Sequence, residues 1–176
     1  MAESALALRE HPQIIELLSV LEQNSLSKQK EEVQALVGYI DGMEEKLAQM
    51  MEEMKAMRLE VEKLHDKGIR ARCAQLVGTA EGKIRQGKAM LSTARTNFVS
   101  AAGRMLGTFQ EKGRAALRHA VQALRIPAVL SRMERGAGRL AEKTGGEKSS
   151  VKTELRGLKP APEGQRRQAA SKEQAR

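Results

Sequence analysis

Tryptophan is absent from the chain, and Tyr39, Phe98 and Phe109 are its only aromatic residues. Aromatic rings normally supply the large buried areas of a rounded core, so Leu, Ile, Val, Met and Ala must do the packing. Long helices that each bury a narrow stripe suit this composition; a globular domain does not. The single cysteine, Cys73, excludes a disulfide framework or a cysteine-based metal site within one chain. No apolar run approaches the ~20 residues needed to span a bilayer. The opening MAESALALREHP lacks the basic-then-apolar order of a secretory signal, so the expected location is cytoplasmic.

Recognisable chemistry is equally scarce. His11, His65 and His119 are far apart and in no ligand-like spacing. The glycines match neither a P-loop nor a dinucleotide fingerprint, and no strand pattern precedes them. Ser and Cys form no nucleophile elbow or paired-base motif. Glu44–Glu45 and Glu52–Glu53 read as helix-surface charge. The expectation is a protein that is not an enzyme and uses no cofactor, no metal and no small-molecule substrate.

What the chain does contain is a heptad. Val33, Ile40, Leu47, Met54 and Val61 occupy one seam position, and Leu36, Met43, Met50, Met57 and Leu64 the other. No position of either set is polar over five heptads, the pattern of a coiled coil. Val or Ile at three of the five first-set positions leans toward a parallel dimer, in which Glu53 and Arg58 would attract across the interface. Val37 and Met51 widen the stripe and admit trimers, tetramers or a docked third helix. Met43, Met50, Met51, Met54 and Met57 read first as core and second as an adaptable groove. Ahead of this segment, Pro12 opens a short helix with Ile14, Leu17, Leu18 and Leu21 on one face. So short a helix is marginal alone and should fold back on Val33, Leu36, Val37 and Ile40. That would make the first heptads an intrachain hairpin, so the seam is either intra- or intermolecular.

At Asp66–Gly68 the heptad stops. Twelve positions from Ile69 through Cys73, Ile84, Leu91, Phe98 and Met105 to Phe109 then advance forty residues in eleven steps, about 3.64 per turn and close to a straight helix. Lys83, Arg85, Lys88, Arg95, Arg104, Lys112, Arg114 and Arg118 lie off this stripe and are candidates for contact with an anionic partner. Gly78, Gly82, Gly87, Gly103, Gly107 and Gly113 together cost roughly 5 kcal/mol against Ala in a helix. Close helix packing is the first explanation; a break near Gly103–Gly107, or ordering on a partner, are the others. Ile126-Pro127 should end one helix and start a short one. From Thr144 onward the composition is that of a disordered basic tail.

Charge is divided along the chain. Residues 1–65 carry 7 basic and 13 acidic side chains, residues 66–142 carry 15 and 5, and residues 143–176 carry 9 and 4. A basic rear fits nucleic acid, acidic lipid or acidic protein, or simply a solvated surface. No stacking platform or groove-reading motif accompanies it, so nucleic-acid binding would be non-specific. A basic amphipathic helix with an eleven-residue beat also suits an anionic membrane surface, though its small Ala/Gly face would insert weakly.

Taken together, QIIELLSVLEQN, KQKEEVQALVGYIDGMEEKLAQMMEEM, the glycine-dotted AEGKI and GKAML pieces and FQEKGRAALRHAVQALRI resemble an uncharacterised family, a domain of unknown function, from gut Firmicutes and Clostridia. Its members are encoded mainly on integrative and conjugative elements. The likeness covers roughly residues 12–142 and leaves out the tail. It brings no catalytic or ligand residues, and implies a cytoplasmic mobile-element accessory protein. The best local marker is VGYIDGMEEKL, where Tyr39 and Asp41 interrupt a generic heptad surface.

The expected fold is all-α and elongated. Residues 1–27 form an N-terminal helix and turn, 28–67 a coiled-coil helix, 68–126 a basic amphipathic segment, 127–143 a short helix and 144–176 a disordered tail. The rear helices either fold back over the long one as an intrachain bundle or leave it to homo-oligomerise. The leading functional expectation is a non-enzymatic oligomerising scaffold, with nucleic-acid or anionic-membrane binding as alternatives and a mobile-element protein among the expected partners.

Overall fold

The computed structural model describes residues 6–158. A single 3₁₀ turn (Leu8–Glu10) leads into α1 (Pro12–Gln23), α2 (Ser27–Glu62), α3 (Lys67–Lys112), α4 (Arg114–Ala123) and α5 (Ile126–Leu158). At 1.5 Å per residue α3 is about 69 Å long and α2 about 54 Å. No strand occurs among the described residues.

Local signals set most of the boundaries. Pro12 sits at the start of α1, where its missing N–H costs nothing. Asp66 caps α3 by accepting from the Ile69 N–H at 3.0 Å, which is why the heptad helix ends there and a new one begins. Gly113, at φ +83°, ends α3 in a conformation that glycine adopts without strain. The α1–α2 corner closes as a Schellman motif: Leu26 N–H donates to the Leu21 carbonyl and Ser25 N–H to that of Glu22. Leu21 and Leu26 are both buried beneath it. Ser25 (φ 57°) and Arg125 (φ 49°) take the left-handed conformation at their corners without being glycine.

α2 and α3 run antiparallel, and α5 returns alongside them. One core joins Ile14, Leu17 and Leu21 of α1 to Val33–Ile40, to Phe98–Leu106, and to Leu117 and Val121 of α4. The other joins Leu47–Val61 to Cys73–Leu91 and to Val151 of α5. Met133 packs against both cores and links the two ends of the bundle.

The heptad seam is thus filled within one chain. Val33, Leu36, Ile40, Leu47, Met54, Met57 and Val61 are buried, and Met43, Met50 and Leu64 are half-buried. Val37 and Met51, the residues that widen the stripe, are buried as well, each within one of the two intrachain cores. The pair expected to meet across a dimer is engaged elsewhere: Arg58 bonds Glu81 of α3, and Glu53 bonds Lys148 of α5. The α3 stripe holds too, since none of its twelve positions is exposed.

Three expectations need correction. α3 passes through Gly103 and Gly107 unbroken and stops only at Gly113. Close packing accounts for Gly87, where a Cβ would meet Leu140 Cδ2 at 2.9 Å, and for Gly103, where it would meet the Gln13 side chain at 3.3 Å. At Gly78, Gly82 and Gly107 it would meet nothing within 4 Å, and nothing in the structure explains these glycines. The expected short helix 127–143 is part of α5, which continues through Leu158; residues 144–158 are helical because Thr144 and Val151 carry a one-sided stripe onto the bundle. Residues 159–176 of the expected tail lie outside the described residues.

Candidate interaction surface

The eight basic residues singled out from the sequence fall into two groups. Lys83 pairs with Glu147 of α5. Arg95 reaches Glu44 at 3.0 Å and also donates to the Leu6 carbonyl. Arg85 lies 3.6 Å from Glu81, and Arg114 Nε donates to the Asn24 carbonyl at 2.7 Å. Lys88, Arg104, Lys112 and Arg118 are exposed and form no ion pair among the described residues. The candidate residues are therefore not one continuous patch: Lys83, Arg95 and Arg114 tie elements of the bundle together, and Arg85 pairs within its own helix.

The carboxylates of these intrachain contacts are the functional groups that sequence reasoning missed. Glu81 is only 5% exposed, and it takes a two-toothed hydrogen bond from Arg58, Nε to Oε1 at 3.0 Å and Nη2 to Oε2 at 2.6 Å. That hydrogen bond, partly opposed by burial, holds the Glu81 carboxyl below the usual range for glutamate. A sequence signal does mark it. Glu81 is the sole acidic residue between Asp66 and Glu111, and it stands beside the buried Ala80 and Ile84. Asp41, noted as a local marker, fastens the N-terminal turn to α2, its two oxygens accepting from the Leu8 and Arg9 N–H groups at 2.6 and 3.1 Å. Tyr39, the other marker, is half-buried; burial and then the nearby Glu134 push its phenol up. Cys73 is fully buried, and burial also raises its thiol; such a thiol is packing material and not a nucleophile.

The α4 corner differs from the acid-free stretch 82–110, where Lys83, Arg85 and Arg95 are ion-paired. From Lys112 to Met133 the chain contains no Asp or Glu, while Lys112, Arg114, Arg118, Arg125 and Arg132 are all exposed. None of these five forms an ion pair among the described residues. Arg114 and Arg118 stand one turn apart on α4 and flank Leu117 and Val121, which are buried in the first core. Arginine predominates, and its planar fork suits carboxylate and phosphate groups. Elsewhere the surface offers a shallow groove lined by Arg58, Val61, Glu62 and Arg70, and another by Leu6, Arg9, Asp41 and Glu44. No helix among the described residues is long and apolar enough to cross a membrane. No group of three or more His, Cys, Asp or Glu side chains among them is gathered as a metal site would need.

Fold and surface together define an all-helical bundle with a basic run at residues 112–133 that contains no Asp or Glu. The chain belongs to DUF6674, a family of unknown function, which it matches over residues 10–145. No curated protein and no solved structure matches it.

Proposed function

We propose that this protein is a non-enzymatic helical scaffold, an accessory protein of a mobile genetic element, that receives an anionic partner on its α4 corner. The observation that carries this reading is the acid-free run from Lys112 to Met133, whose five cations are exposed while Arg58, Lys83 and Arg95 of α2 and α3 face carboxylates of their own chain. Unneutralised charge attracts opposite charge and raises association rates. The arginine-rich make-up of the corner favours one second reading, loose binding of a nucleic-acid backbone. Insertion into anionic membrane has less support, because Ile84, Leu91, Phe98 and Met105 of the amphipathic helix are already buried in the core.

The test is titration of the full chain with two defined polyanions, a short DNA duplex and poly-glutamate. It is repeated with Arg118, Arg125 and Arg132 changed to Glu. The scaffold reading expects poly-glutamate to bind and the triple variant to lose that binding. The nucleic-acid reading expects duplex affinity to drop several hundredfold, roughly, between 50 and 200 mM salt if five phosphates are neutralised. Unchanged binding by the triple variant would remove the corner from consideration under both.

A further inference from the structure

α5 is attached differently from the other long helices. α2 and α3 each bury ten or more side chains. Among the described side chains of α5, which has 33 residues, Ile126, Thr144 and Val151 are buried, while Val129, Leu130, Met133, Leu140 and Leu155 are only partly buried against the two cores. Its distal half adds three ion pairs to this thin apolar contact: Glu147 to Lys83 of α3, Lys148 to Glu53 of α2, and Glu154 to Arg72 of α3. The Glu147 clasp is imperfect, since its Oε2 is buried without a hydrogen-bond partner, and such an atom weakens the contact it sits in. Gly136, Gly138, Gly145 and Gly146 all face open space within the helix, so they lower its intrinsic stability without improving its fit.

The hinge points the same way. α4 and α5 are joined by Leu124 and Arg125 alone, and Arg125 holds a left-handed conformation that opening would relieve. Pro127 lacks the N–H that a continuous α4–α5 helix would require, so the joint stays a hinge. Short strained hinges favour exchange of an element between identical chains.

We propose that the α2–α3 groove beneath α5 is an interaction surface whose second occupant is α5 of another copy of this chain, so that two chains pair by reciprocal exchange. The groove selects its occupant by charge. It presents Lys83 from α3 and Glu53 from α2, and so requires an acid and a base at adjacent positions of the incoming helix. Glu147-Lys148 of a second copy satisfies this by identity. Methionines supply the adaptable apolar floor: Met54 and Met57 are buried there, and Met50 packs against the same core.

The deciding experiment mixes two single variants of the full chain, Lys83→Glu and Glu147→Lys. Each alone sets like charge against like charge beneath its own α5. In the exchanged pair both contacts become complementary, because each groove receives the other variant's helix. Sedimentation and native mass spectrometry are expected to show at least about tenfold more dimer in the mixture than in either variant alone, of mixed mass. A mixture that stays at the mass of the separate chains overturns the proposal. So does equal dimer in each separate variant, which would place the interface elsewhere. Should either variant lose its helicity, Glu53→Lys mixed with Lys148→Glu makes the same comparison at the second clasp. The readout is mass and not polyanion binding, so this proposal and the α4-corner reading fail separately.

Discussion

Glu81 carries more of this fold than its place on the chain suggests. It is buried between Arg58, whose fork it accepts, and Arg85 at the next turn. Replacing it by Gln removes the charge but keeps the shape. Because Arg58 is 44% exposed, solvent screens the pair, and the expected loss is about 1–2 kcal/mol in urea unfolding. The pH dependence has a definite sign. A carboxyl lowered in the folded state binds fewer protons there than in the unfolded chain, so its contribution is complete above the ordinary glutamate value of 4.5 and is lost as pH falls through the lower folded value. The acid limb of the stability curve should therefore be shallower in Glu81→Gln than in the parent. An unchanged limb would mean that other carboxylates dominate acid unfolding.

At the scale of the element, α3 pairs a well-kept apolar stripe with glycines that interior packing does not demand. Gly78, Gly82 and Gly107 have room for a methyl group and lie within a regular helix. Changing each to Ala should stabilise the protein by about 0.5–1 kcal/mol, read as a rise in melting temperature. A fall instead would show that these open faces are covered in solution. Gly87 is the contrasting case: its missing Cβ leaves the space that Leu140 of α5 occupies.

For the molecule as a whole, the seam decides whether a charge placed in it separates chains or unfolds one. Leu47 and Met54 are 1% and 2% exposed inside a single chain. Lys at both positions should therefore abolish helicity in circular dichroism, at a cost above about 3 kcal/mol, and not release folded monomers. Retained helicity with a halved mass would restore the intermolecular zipper. The same packing explains why the rear half should not stand alone: Ile84, Leu91, Phe98 and Met105 require α1 or α2 against them.

Periodicity by itself determined a good deal. The ten-residue seam, the 3.64-residue stripe, Pro12 at a helix start and the stop at Asp66 all follow from side-chain spacing and capping, which are local properties. Tertiary structure alone decided what covers the seam, because a heptad is equally satisfied by a second chain or by the rest of its own. It also decided which cations remain free, since Lys83, Arg95 and Arg58 find carboxylates 64, 51 and 23 residues away. And it made a helix of residues 144–158, whose polar, glycine-rich composition argues for disorder but whose Thr144 and Val151 gain a buried surface once α2 and α3 have packed. Contacts so distant in sequence leave no local pattern. The lone carboxylate at Glu81, isolated in a long basic stretch, was the nearest thing to one.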